Sequence, residues 1–336
     1  MLRKNYLIDF LTFSSILFML ITLIVMPTTI SSGIYIGISV CAKIIIPSIF
    51  PFSVLCIFCI ESGIIEKYVK TPFAFSVFIF VLSLLGGYPV GANLISTAYE
   101  NGKISKNDSE KLLFVCINAG PAFVITAIGG VVFNSTRLGV YLFLSHVLAS
   151  STLFLLNAKR FCEIKLENKL SQKTQLSKAF VLAVGKSSGA LINICSYVIL
   201  FSGITNLFSN KYLVCFLEIT NASINTKNIY LISFLLGFSG VCIIMQIISI
   251  SNEFLTKRVT LVTYRILHGI LSVFFLKALF FLFPVKIETF SNLNNFGYKT
   301  AYGNSLGGII LIVMMVLFIY MIDNKKYSGK IIKDIW

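Results

Sequence analysis

Glycine, proline and amide side chains interrupt two long apolar runs of this sequence, and the interruptions are where chemistry could be done. The first is Gly86-Gly87-Tyr88-Pro89-Val90-Gly91-Ala92-Asn93 and the second is Asn118-Ala119-Gly120-Pro121. Pro89 has no backbone donor, and three glycines let the chain unwind, so carbonyls and amides are released from helical bonding. In a bilayer each such group costs on the order of several kcal/mol unless it is packed against protein or faces a water-filled cavity. The interruption is therefore a tightly packed kink or a site, and the polar Tyr88 and Asn93 beside it favour a site. Pro121 starts a half-helix whose N-terminus carries partial positive charge, a position suited to an anionic group.

The second half of the chain holds counterparts: Gly237-Phe238-Ser239-Gly240 followed by Gln246, and Leu217-Glu218-Ile219-Thr220-Asn221. Broken helices at corresponding places in two halves mark a transporter's site. The candidate substrate-binding residues are Gly86, Gly87, Tyr88, Pro89, Gly91, Asn93, Asn118, Gly120, Pro121, Ser239, Gly240 and Gln246. Glu218 is the only acid between Ala179 and Asn252, and an ionisable group inside a membrane is by default a functional candidate. A carboxylate would repel an anionic substrate, so Glu218, with neutral oxygens from Thr220 and Asn221, is assigned to a coupling ion, Na⁺ or H⁺. The competing reading is a surface pair with Lys211 and Lys227. Lys43, the only charge from Phe10 to Ile60, either serves the site or snorkels to an interface. Arg265 and His268, three residues apart, read as interfacial anchoring or packing rather than a proton relay.

The elements that must position these residues follow from composition. Of 336 residues 57% are hydrophobic and 12% charged, with a mean hydropathy of +0.89, so the polar surface needed by a water-soluble fold of this size is missing. Lipid satisfies no backbone hydrogen bonds, and the apolar runs are long rather than alternating, which leaves helices as the spanning element and excludes a β-barrel. The net charge of +15 belongs to cytoplasmic loops rather than to a nucleic-acid surface. Seven of the eight cysteines lie in apolar runs and act as small hydrophobes, Cys56 and Cys59 included. His146 and His268 are the only histidines, and HExxH, GxSxG and paired helical carboxylates are lacking, so no enzyme and no cofactor is expected.

Apolar segments are predicted at 6 to 26, 34 to 65, 73 to 98, 112 to 132, 138 to 156, 181 to 208, 212 to 222, 229 to 250, 259 to 284 and 306 to 321. Arg3 and Lys4, the basic linker at 158 to 178 and the lysine-rich C-terminus are placed in the cytoplasm. Going from outside at residue 33 to inside at residue 159 takes an odd number of crossings, but four segments are available, so one must re-enter. The expected one is 34 to 65, where Pro47 and Pro51 would break the helix into a hairpin. The segment 212 to 222 is too short to cross. The reading is an all-α polytopic membrane protein with about eight full spans, two re-entrant or broken segments, and an inverted-topology repeat. Its divisions are a first transmembrane helix at 1–33, repeat 1 at 34–157, the linker at 158–178, repeat 2 at 179–284, and a last helix and tail at 285–336.

At these interruptions the chain resembles the YlbJ family of sporulation integral membrane proteins, also called SpoVV, within the wider group carrying the nucleoside-recognition Gate domain. The resemblance lies in PSIFPF at 47 to 52, SLLGGYPVGANLISTAYENGKIS at 83 to 105, CINAGPAFVITAIGG at 116 to 130, LEITN at 217 to 221, FLLGFSGVCIIMQIISI at 234 to 250 and YRILHGILS at 264 to 272. It departs from the family's expected pattern at Gly86, Ala222 and Ser239. The resemblance implies a fold similar to concentrative nucleoside transporters. It also implies export of dipicolinic acid from the mother cell across the outer forespore membrane. The alternatives are a carrier of nucleosides or another small metabolite, and a membrane scaffold that transports nothing. Expected partners are a small anionic solute and the lipid bilayer, with a homo-oligomer compatible with the sequence and no nucleic acid.

Overall fold

The computed structural model describes residues 20–65, 69–166, 175–219 and 228–284, with a few positions between 10 and 17. The predicted last span, 306 to 321, lies outside the described residues, as does part of the first, 6 to 26. Five helices among the described residues are long and apolar enough to cross a membrane: Pro27–Glu61, Thr136–Leu156, Leu176–Thr205, Ile229–Ile250 and Arg258–Leu282.

The first of these corrects the expected hairpin at 34 to 65. Helix α1 (Pro27–Val40), a π-helical stretch (Cys41–Ile45) and α2 (Ile46–Glu61) run on as one 35-residue helix. The π-turn shifts the hydrogen-bond register, and the Ile46 amide donates to the Cys41 carbonyl. Pro47 consequently falls in the first turn of α2, where its missing N–H is not needed. Ser48 Oγ donates to the Ile44 carbonyl at 2.5 Å and helps carry the helix past Pro51. Two prolines broke nothing because a wide turn upstream absorbed the first of them.

The hairpin is instead the next segment. Helix α3 (Pro72–Gly86) and α4 (Tyr88–Glu100) meet at Gly87, whose φ of +91° favours glycine. They fold back on each other, with both outer ends on the side where α2 ends. At that side Asn101 Nδ2 donates to Glu61 Oε1 at 3.3 Å and Lys103 Nζ to the Ile60 carbonyl at 2.7 Å. Phe73, at the start of α3, packs 6.1 Å from Phe154 near the same level. The hairpin is thus 72–100 rather than 34–65.

After the short amphipathic α5 (Lys106–Leu113), residues 115 to 120 run without helix into a π-helix at Ala122–Val132. Helix α6 (Thr136–Leu156) returns antiparallel to it, so close that a Cβ on Gly129 would lie 2.4 Å from Gly139 Cα. The short α7 (Ala158–Cys162) leads to the linker. Helix α8 (Leu176–Thr205) lies antiparallel to α1 and α2, with Phe58 5.9 Å from Phe180 at one end. At the other end Gly33 and Gly37, four residues apart, let the backbones touch: Cβ atoms there would lie 2.5 Å from the Ser202 carbonyl oxygen and 2.8 Å from Ile199 Cα. Without a hydrophobic drive between helices in lipid, such close backbone packing is what joins them.

Helix α9 (Lys211–Leu217) is seven residues long and falls at the start of the apolar segment predicted at 212 to 222. Helices α10 (Ile229–Phe238) and α11 (Gly240–Ile250) form one crossing broken at Ser239, where φ is +80°. Helix α12 (Arg258–Leu282) packs on α10 and α6. Gly237 and Gly269 make the α10 to α12 approach as tight as that of Gly129 and Gly139, with a Cβ on Gly237 only 2.5 Å from Gly269 Cα.

Candidate functional site

The hairpin tip, the unwound strand and the α9 end converge. Gly87 faces Gly120 so closely that a Cβ on Gly87 would meet the Gly120 amide at 3.3 Å. Tyr88 Oη donates to the Leu236 carbonyl at 2.5 Å, tying the hairpin tip of the first half to the broken helix of the second. Beside these contacts opens a recess lined by the hairpin tip from Leu85 to Pro89, by Gly120, Ala122 and Phe123, by Glu218 and Ile219, and by Gln246. Its far wall comes from the two antiparallel long helices, through Ile45, Ser48 and Ile49 on one and Ile194 and Val198 on the other.

Of the predicted substrate residues, Gly86, Gly87, Tyr88, Pro89, Gly120 and Gln246 line the recess, and so does Glu218. The others stand behind it. Gly91 packs on the unwound strand, where a Cβ would come within 2.0 Å of the Cys116 carbonyl oxygen. Asn93 is buried within α4. Asn118 is fully buried and donates to Ser83 Oγ at 3.0 Å, which pins the strand to α3. Pro121 precedes the π-helix at half-burial. Ser239 and Gly240, with φ of +80° and +69°, make the break between α10 and α11. Thr220 and Asn221 lie outside the described residues.

Glu218 is 1% exposed, in extended backbone immediately after α9, so the surface-pair reading does not fit its position. Lys43 is exposed on the π-helical stretch and is not part of the recess wall. Arg265 and His268 depart from the anchoring role at an interface, since each is 1% exposed and packed at the centre of the fold. Arg265 Nη1 donates to the Ile117 carbonyl of the unwound strand and Nη2 to His268 Nδ1. The His146 ring lies 5.4 Å from that of His268. Sequence spacing paired Arg265 with His268 and left His146 alone, because nothing local announces that α6 and α12 cross there. The Ser48 wall was likewise hidden by treating PSIFPF as a break.

Outside the apolar layer, α5 is anchored by its acids. Glu110 Oε1 accepts from the Thr256 amide at 2.7 Å, the Thr256 hydroxyl at 2.9 Å and the Lys257 amide at 2.6 Å. Burial alone would raise its pKa, but these donors and the Lys257 charge outweigh it and hold the carboxyl below its usual range.

No family model matches the chain, and no solved structure matches it. The sporulation integral membrane protein YlbJ of Bacillus subtilis (strain 168) is 23% identical over 397 aligned positions, which take in 94% of this chain and 97% of the relative. The match runs over nearly the full length of both chains. Like its YlbJ relative it is an integral membrane protein, and its apolar helices are long enough to span a bilayer.

Proposed function

We propose that this protein belongs to the YlbJ family and is a membrane transporter for a small anionic metabolite, and that the recess between the hairpin tip and the Glu218 segment is its substrate site. The observation that carries this reading is the meeting, at one recess, of a re-entrant hairpin, an unwound strand and a broken helix drawn from both halves of the chain. Unwound backbone at membrane depth is tolerated where it lines such a cavity. The order long helix, short re-entrant element, broken helix, crossing helix occurs twice and in opposite senses, which supports an inverted-topology repeat. Eight crossings result when the helix interrupted at 115 to 120 and the first and last apolar runs join the five long helices.

Dipicolinic acid, moved out of the mother cell during spore formation, is the substrate the family resemblance favours. It is a flat aromatic dianion. The Tyr88 ring offers a stacking face, Gln246 offers amide donors, and the π-helix N-terminus at Ala122 offers partial positive charge. Glu218 then handles the coupling ion, Na⁺ or H⁺. Uptake of labelled dipicolinate by proteoliposomes, with and without imposed ion gradients, tests the reading. Gradient-driven uptake competed by unlabelled dipicolinate supports it, and Glu218→Gln should uncouple uptake from the gradient. Uptake of a nucleoside in its place moves the substrate assignment, and no uptake of either solute returns the protein to a scaffold role.

A further inference from the structure

Arg265 and Tyr88 bridge the two helix breaks: Arg265 Nη1 donates to the Ile117 carbonyl of the first and Tyr88 Oη to the Leu236 carbonyl, three residues before Ser239, in the second. Asn118, next to Ile117 in the unwound strand, has a buried Oδ1 without a partner, and Ser239 lies buried beside Tyr88. Unwound carbonyls with side-chain oxygens are the donor set that takes a monovalent cation in transporters built on broken helices. Yet the charge present there is a side chain. Arg265 is wholly buried, its Nε has no partner, and none of the ion pairs among the described residues includes it. Its partners are neutral: a carbonyl and the Nδ1 acceptor of His268, which therefore carries its proton on Nε2 when neutral.

We propose that Arg265 is a tethered cation: its guanidinium occupies the seat that the unwound Ile117–Asn118 strand and the Ser239 break would otherwise offer to a dissociable monovalent cation. A buried positive charge without a carboxylate is expensive, and carbonyls freed from helical bonding are the groups able to offset it. Each needs the other, so the break in the first half and the cation on α12 form one unit. The coupling ion is thereby confined to the Glu218 side of the recess, and the Arg265 side is specified against Na⁺. His268 holds the guanidinium through Nδ1, and the His146 ring packs 5.4 Å from that of His268.

The test uses the melting point of the full-length protein in detergent, which needs no transport and so stands whether or not the recess carries a metabolite. Arg265→Ala should melt lower by roughly 5 °C or more. Low-millimolar guanidinium or Na⁺ should restore most of the loss, whereas choline at the same ionic strength should not. Arg265→Lys should keep a melting point close to that of the parent and show no cation dependence. If the alanine variant accumulates only when guanidinium is present during purification, the same conclusion follows. An alanine loss that neither cation restores overturns the proposal, and so does a lysine variant that falls as far as alanine, because charge would then not be what the seat requires.

Discussion

Adding one methyl group at Gly91 is the sharpest probe of how the hairpin seats on the unwound strand. In Gly91→Ala the new Cβ would lie 2.0 Å from the Cys116 carbonyl oxygen and 2.9 Å from Ser83 Cβ. Real methyl groups stop at 3.0 Å, so α4 and the strand must part by about 1 Å. Neither is free to do so cheaply. Tyr88 Oη holds α4 to Leu236, and Arg265 holds the strand at Ile117. Overpacking of this kind costs about 1–3 kcal/mol, which at about 2–4 °C per kcal/mol lowers the melting point by roughly 2–12 °C. Gly185→Ala and Gly189→Ala are the controls, because nothing lies within 4 Å of a Cβ at either position on α8. Alanine there should be neutral or stabilising by about 0.5–1 kcal/mol through helix propensity alone. The assay is the fraction of a fluorescent fusion that stays monodisperse on size exclusion after heating. A Gly91→Ala protein as stable as the parent would falsify the close packing, as would equal losses at Gly185 and Gly189.

Further outcomes follow from the same geometry. Single cysteines at Lys70 and Gly102, in a background without native thiols, should both be labelled from the cytoplasmic side, whereas labelling from opposite sides would mean that 72–100 crosses. Cysteines at Ser48 and Gln246 should react with small polar thiol reagents and be protected by dipicolinate, while one at Gly91 should stay inert. Glu110→Ala removes the buried carboxylate that accepts from the Thr256 and Lys257 amides and should cost on the order of 1 kcal/mol, since water can reach those exposed amides. Because the folded-state pKa of Glu110 is held below its unfolded value, its contribution is present at neutral pH and disappears as pH falls through that lower value. The difference in melting point between parent and Glu110→Ala should therefore shrink in acid, and a difference that grows there contradicts the assignment.

Much of this protein was legible in its sequence. Composition alone required membrane helices, because lipid leaves the backbone no other partner. The glycine and proline clusters at 86 to 93, 118 to 121 and 237 to 240 announced interruptions, since no side chain or packing can restore the donor a proline lacks or remove the freedom of a glycine. The short α9 was legible from the length of its apolar run. Which segment re-enters was not legible. Pro47 and Pro51 carry the stronger local breaking signal, but a π-turn upstream absorbed Pro47, while α3 and α4 folded back because Glu61, Ile60 and Phe154 hold both outer ends at one side. The same limit hid Arg265. A cation on an apolar helix looks interfacial until α12 is laid against the unwound strand, and only that crossing supplies the Ile117 carbonyl that, with His268 on the same helix, makes its burial tolerable. Propensity and charge act over a few residues and can be read along the chain. Burial and the pairing of freed carbonyls depend on which distant segments meet, and only the tertiary structure decides that.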